Sequence, residues 1–154
     1  MRLKLTVLTA VAAVGGLLAI PGTFASSELE GPGVIRITEK QVQVARVDVG
    51  KPGPSVGDIQ VMRFLLYNRR ITLRALGHSE LVCTMTGTST SSCMGTYFLP
   101  KGKIVVGGPM RFREFYELAV LGGTGLYDNV RGSLTVTSLG GKPLRDILVF
   151  RLVV

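Results

Sequence analysis

The feature that most limits the fold of this sequence is a succession of short β-type runs separated by turn signals, with little helical periodicity between them. A change of hydrophobic phase at Ala45–Arg46 predicts a bulge in the second run. Ten such runs, interpreted as eight or nine short strands without intervening helices, indicate an all-β sandwich or an antiparallel barrel, and the short connections favour an up-and-down barrel. The runs are residues 34–37, 41–49, 58–67, 71–76, 81–86, 93–99, 103–106, 114–121, 130–137 and 144–153.

The N-terminus has the layout of a secretory signal peptide. Arg2 and Lys4 precede the apolar run 5–20, and a Pro-Gly pair and small residues follow it. Because this run is shorter than the roughly 20 residues that span a bilayer, an uncleaved anchor is the less favoured alternative. We therefore expect a signal peptide over residues 1–25 and one domain over residues 26–154, secreted to the extracellular space without stable membrane insertion after cleavage.

The charge pattern argues against a nucleic-acid partner. The net charge is +8 and falls to +6 when Arg2 and Lys4 are removed with the signal peptide. The basic residues are scattered, only Arg69 and Arg70 being adjacent, and no nucleic-acid recognition motif accompanies them. The single histidine, His78, is assigned to a turn, and no acidic cluster is present, so we expect neither a metal site nor a cofactor.

The two cysteines bracket a short polar segment. Cys83 and Cys93 flank the sequence TMTGTSTSS, which is typical of a hairpin loop. An even cysteine count in an exported chain favours a disulfide between them, and two free thiols are the alternative.

The glycine-rich stretch LGGTGLYDNVRG, residues 121–132, raises the question of a phosphate-binding loop. A dinucleotide fingerprint needs a third glycine where Asp128 stands, and it opens a helix. A strand-like run follows here instead, and the Gly-Lys-Ser/Thr of a P-loop is absent. The stretch therefore predicts a strand–turn–strand connection in which glycines adopt positive φ.

This stretch carries a resemblance to a known group of proteins. The run from Tyr116 to Tyr127, with Val130-Arg131-Gly132 after it, resembles the signature shared by the allene oxide cyclase and dirigent families. The resemblance implies an eight-stranded antiparallel up-and-down β-barrel with an apolar cavity, and a homo-oligomer, either a trimer or a dimer. Weaker matches extend it over roughly residues 42–152: Val56-Gly57-Asp58, Leu66-Tyr67, Cys83-Thr84, Gly102-Lys103-Ile104 and Gly107-Gly108-Pro109.

The polar site of the plant cyclases does not carry over with the signature. In that family a glutamate on the first strand and an asparagine on the second position the substrate. Here the run 41–49 offers only Asp48, and Phe64 stands at the asparagine position. Allene oxide cyclase activity itself is therefore not expected. Glu117 matches a glutamate of the dirigent pattern.

Strand phase indicates which side chains line the predicted cavity. Alternate positions counted from Met110 place Glu114 and Tyr116 on the inward face of their strand. These two are the candidate catalytic residues, because a carboxyl in an apolar cavity can donate or accept a proton. The alternatives are that Glu114 pairs with a rim arginine, Arg111 or Arg113, and that the tyrosines simply pack. The expected ligand-binding residues are Met62, Phe64, Tyr97, Phe112 and Leu118.

Two functional hypotheses follow. The first is a cyclase or isomerase that positions a lipophilic small molecule and excludes water. The second is a non-catalytic secreted barrel that binds such a molecule or an envelope partner. A cavity of ligand size favours the first hypothesis, and a barrel filled solid by its own side chains excludes it.

Overall fold

The chain folds into eight β-strands, seen in a computed structural model that describes residues 33–68, 74–111 and 115–153. Within these ranges there is no helix, and thus none that could span a membrane. The predicted signal peptide lies outside them. The strands are β1 (Gly33–Val47), β2 (Ile59–Tyr67), β3 (Gly77–Met85), β4 (Ser91–Leu99), β5 (Gly102–Met110), β6 (Phe115–Gly125), β7 (Arg131–Gly140) and β8 (Arg145–Val153).

Each strand pairs antiparallel with its sequence neighbours, and β1 pairs with β8, so the sheet closes into a barrel. The predicted eight-stranded up-and-down barrel is confirmed, and the sandwich is excluded. Closure leaves no free strand edge, which removes a surface on which sheets aggregate.

Several sequence predictions of strand extent differ from the structure. In the predicted run 71–76, residues 74–76 are not strand, and residues 71–73 lie outside the described ranges. The first two runs are one continuous strand, β1, and its register shift lies between Gln41 and Gln43, not at Ala45–Arg46. His78 belongs to β3 and not to a turn, and its ring lies 4.4 Å from that of Phe98 in a stacked pair. Cross-strand pairing overrode the local signals in β1 and at His78.

A further difference concerns the glycines between the predicted runs 103–106 and 114–121, where a turn was expected. Gly107, Gly108 and Pro109 lie within β5 and do not form a turn, because all three pair with β4. Pro109 lies beyond the last β5–β6 pair, Gly107 with Ala119, where a missing N–H is tolerated.

The glycine-rich stretch is divided between a strand and a turn. β6 continues through Gly125, and the turn itself is formed by residues 126–129. Gly125 has a φ of 67° at the start of this turn. A Cβ atom on Gly123 would collide with the carbonyl oxygens of Tyr127 and Lys103, so the backbone here approaches its neighbours closely. The predicted strand–turn–strand connection is confirmed, although the glycines mostly precede the turn.

The barrel interior is packed toward one end. Tyr97 and Phe150 meet edge to face there, with ring centroids 5.1 Å apart. We call this the closed end; it carries the β2–β3, β4–β5 and β6–β7 connections, and Leu76, Leu99 and Tyr127 pack against the core from them. The opposite end, the mouth, carries the other hairpins. The buried apolar set includes Leu66, Ile104, Val106, Leu118, Leu134, Val136, Leu148 and Phe150.

The predicted disulfide is confirmed. Cys83 of β3 and Cys93 of β4 are directly opposite partners, both are buried, and their sulfurs are bonded. The bridge therefore joins two neighbouring strands near the mouth.

Candidate functional site

The mouth of the barrel contains a cavity of about 720 Å³. This volume is within the range of small-molecule sites. Its walls are mostly apolar, and Met85 contributes a second thioether beside Met62. The residues that line it include Gln41, Val44, Ile59, Met62, Cys83 and Leu144.

The rim of the cavity is formed partly by the loop of residues 48–58, which Asp58 holds in shape. The carboxylate of Asp58 accepts hydrogen bonds from the backbone N–H groups of Val49 and Ser55, at 2.9 and 2.8 Å. The Ser55 hydroxyl donates to the same carboxylate at 3.2 Å. These N–H donors lower the pKa of Asp58. Asp48, Asp58 and Arg46 are the charged residues of the described lining.

Below the cavity lies a polar cluster that was not predicted from the sequence. Glu39 of β1 and Asp146 of β8 face each other as cross-strand partners and are only 1% and 2% exposed. The Ser79 hydroxyl donates a hydrogen bond to Glu39 Oε2 at 3.2 Å. Alternate residues of a strand share one face, so Glu39 is the next inward position after Gln41, about 7 Å deeper in the barrel. Asp146 is likewise the next inward residue after Leu144, one step deeper in the barrel.

Burial controls the protonation of this carboxyl pair. The pKa of Glu39 is raised well above its ordinary value, first by loss of solvent and then by the nearby charge of Asp146. Burial also raises the pKa of Asp146, and a hydrogen bond from Ser138 opposes this rise. At least one of the two therefore holds a proton under conditions where an exposed carboxyl has lost it, and such a group can donate a proton in an apolar site.

Two tyrosines border the pair. Tyr97 of β4 is fully buried, and Tyr116 of β6 is half-buried. Burial, followed by the charge of Glu39, raises the pKa of both phenols, so both hydroxyls stay protonated and can donate hydrogen bonds. Within the described ranges, Tyr97 Oη and Asp146 Oδ1 are buried without a hydrogen-bond partner.

The structure places the predicted ligand residues at different depths. Met62 lines the cavity, and Phe64 is the next inward residue of the same strand, buried with 3% exposure. Tyr97 and Leu118 lie in the packed interior and are absent from the cavity lining. Tyr116 shares the inward face of β6 with Leu118, as the strand phase predicts. Two further predicted residues, Phe112 and Glu114, lie outside the described residues.

The first-strand acid was missed because β1 was divided into two runs. The statement that the first strand offers only Asp48 is wrong, since β1 begins at Gly33 and carries Glu39 on its inward face. The signal was the continuation of alternation through Ile35, Ile37 and Glu39. In the described part of the chain, no three His, Cys, Asp or Glu side chains are grouped to hold a metal ion.

Solved structures of other proteins share this fold. No protein-family model and no curated protein matches the chain. Among solved structures, a pyocyanin demethylase is 27% identical with a TM-score of 0.66, covering 78% of this chain and 99% of that one. A pterocarpan synthase dirigent protein matches at 12% identity and TM-score 0.63, over 79% and 82% of the two chains. A Diels–Alderase from Streptomyces koyangensis matches at 13% identity with a TM-score of 0.60, and the match covers 82% of this chain and 70% of that one.

These similarities define the class of protein. The chain has the closed β-barrel fold of these proteins, which is the fold that the resemblance to the allene oxide cyclase and dirigent families predicts. Its structural neighbours include dirigent proteins and cyclases, and the likeness to them is one of fold.

Proposed function

We propose that this protein is a secreted barrel that takes a lipophilic small molecule into the mouth cavity and isomerises or cyclises it by positioning. The observation that carries this proposal is the cavity of about 720 Å³, which lies one inward residue above a buried carboxyl pair. The apolar walls would exclude water from the ligand, and the protonated carboxyl beneath would supply an acid. The similar pyocyanin demethylase is, by its name, an enzyme that acts on a small molecule.

The alternative is a barrel that binds such a molecule without chemistry. One observation favours it: both carboxyl groups of the pair lie below the cavity wall, and the acids of the described lining, Asp48 and Asp58, accept backbone hydrogen bonds within the loop of residues 48–58. A ligand confined to the cavity would then meet no free acid.

The test is capture of the ligand from the native host. Protein purified from the secreted fraction is expected to carry a lipophilic molecule in native mass spectrometry. Met62→Trp, which fills the cavity, is expected to lose it, whereas Val34→Trp, at a position 65% exposed on β1, is expected to retain it. Equal loading of the two variants would exclude the cavity as the binding site.

Chromatography of the captured molecule separates the two functions. An isomerase is expected to convert it into a species of equal mass and different retention, and Glu39→Gln is expected to slow this conversion by about 10²-fold or more. A molecule that wild-type protein returns unchanged supports the binding module.

We also propose that the barrels associate as a dimer or trimer. Val61, Val82 and Met94 are consecutive outward-facing partners across β2, β3 and β4, and they are 41%, 48% and 60% exposed. An apolar row of this kind on the outer face is typical of an interaction surface. Light scattering after gel filtration is expected to give a multiple of the mature mass, and Val82→Lys is expected to give the monomer. A monomeric wild-type protein contradicts the proposal.

A further inference from the structure

Among the residues that the structure describes, no cation is paired with the two buried carboxyls. In the described part of the chain, no Lys, Arg or His forms an ion pair with Glu39 or Asp146. Every described Lys and Arg is exposed except Lys40, which is half-buried. The other titratable groups of the described residues that face the pair are the phenols of Tyr97 on β4 and Tyr116 on β6. The neighbours from β2, β3 and β7 do not titrate: Leu66, Ser79 and Ser138.

Two hydrogen-bonding positions in this cluster are open. Tyr97 Oη and Asp146 Oδ1 are both buried, and neither has a partner in the described structure. A buried polar atom without a partner costs free energy, so such atoms in native proteins usually meet a ligand or an ordered water. Buried carboxylates are likewise stable only when they are paired or neutralised.

We propose that this cluster receives the protonated nitrogen of a lipophilic amine whose apolar body occupies the mouth cavity. The inference rests on the proposed function of the cavity and names its ligand class. An ammonium group carries three N–H donors and no acceptor, which suits two carboxyls and a phenol oxygen. The aromatic rings of Tyr97 and Tyr116 would add attraction for the cation.

The charges at the mouth agree with this assignment. Asp48 and Asp58 line the rim against the single guanidinium of Arg46, so the described lining has an excess of negative charge. Apart from Arg46 and the half-buried Lys40, the described basic residues are exposed and outside the cavity lining, where solvent and salt screen them. A cation that enters the cavity therefore meets a locally acidic path.

The test uses three probes of matched size: naphthylmethylamine, naphthylmethanol and naphthoic acid. We expect the amine to bind wild-type protein at least about tenfold more tightly than the alcohol at neutral pH, and the acid to bind weakest. The preference is expected to increase as pH rises through the raised pKa values of the pair, because only the ionised carboxyls attract the cation. Asp146→Asn and Glu39→Gln are expected to abolish the preference, and Glu117→Gln, at an exposed position on β6, is expected to keep it.

The outcomes separate this inference from the proposed function. If the alcohol binds as tightly as the amine, or if the amine keeps its advantage when both carboxyls are replaced, the assignment of an amine ligand is wrong while cavity binding stands. If none of the three probes binds, the cavity proposal fails and this inference fails with it.

Discussion

Glu39 of β1 lies directly opposite Asp146 of β8, across the seam at which the first and last strands close the barrel. Two neighbouring carboxyls repel each other when both are ionised, and burial strengthens the repulsion because the interior screens it poorly. The β1–β8 closure therefore contains a carboxyl pair that is more stable when one of its two groups is protonated. The stability of the closed barrel should therefore depend on pH.

Glu39→Gln tests this dependence. The folded-state pKa of Glu39 is raised, so the native protein keeps a proton that the unfolded chain has lost. The contribution to stability is present below the ordinary carboxyl pKa and is lost as pH rises toward the raised value. We expect Glu39→Gln to be more stable than wild type at neutral pH, by about 1–3 kcal/mol, with a flatter pH profile in urea unfolding. Glu117→Gln serves as the exposed control, and parallel profiles for all three proteins would refute the expectation.

Tyr97→Phe removes the buried hydroxyl, which has no hydrogen-bond partner among the described residues, and keeps the edge contact with Phe150. Its free energy of unfolding is expected to equal that of wild type or to exceed it by up to about 1 kcal/mol. Leu118→Ala, in the same packed interior, is expected to lose about 2–5 kcal/mol because it leaves a cavity. A loss comparable to that of Leu118→Ala in the tyrosine variant would mean that the hydroxyl is bonded in solution.

Removal of the disulfide should weaken the barrel without unfolding it. The bridge closes a sequence separation of only 10 residues, for which chain entropy predicts a stabilisation of about 2–3 kcal/mol. We expect the Cys83→Ala/Cys93→Ala double variant to lose this amount in denaturant titration and to keep its β-type circular dichroism, since the β3–β4 ladder remains. Wild-type protein treated with reductant is the control, and loss of the β signal would contradict the prediction.

Asp58→Ala should loosen the loop of residues 48–58. Its carboxylate accepts hydrogen bonds from the backbone N–H groups of Val49 and Ser55. We expect hydrogen exchange of these two amides to accelerate by about tenfold or more in the variant. Because the pKa of Asp58 is lowered, wild-type protection should persist above the ordinary carboxyl pKa and disappear only as pH falls through the lowered value. Unchanged exchange at both amides would show that other contacts hold the loop.

Cleavage of the N-terminus is tested by the mass of the exported protein. We expect the mature chain to begin at Ser26, because the basic start, the apolar run and the small residues before it form a signal-peptide layout. Intact-mass measurement of secreted protein reads this start directly. A membrane-bound product that retains Met1 would instead support the uncleaved anchor.

Local patterns were sufficient to predict the class of fold. The alternation of apolar residues, the turn signals and the glycine signature each depend on only a few consecutive residues, and together they led to an eight-stranded up-and-down barrel. The inward positions of Met62, Phe64 and Leu118 followed from the same period of two, because a residue's face is determined by its phase within one strand.

The chemistry of the interior depended on long-range pairing. Glu39 is buried because β1 runs without a break from Gly33 to Val47. The continuity of β1 is determined by its hydrogen-bonded pairing with β2 and β8. Asp146 is more than 100 positions away in sequence, a separation at which no local pattern links the two residues. The sequence by itself was sufficient to predict the disulfide and the class of barrel, and it located most strands without their exact bounds. Only closure of the sheet decided which two carboxyls face each other, since burial and register belong to the whole assembly of strands.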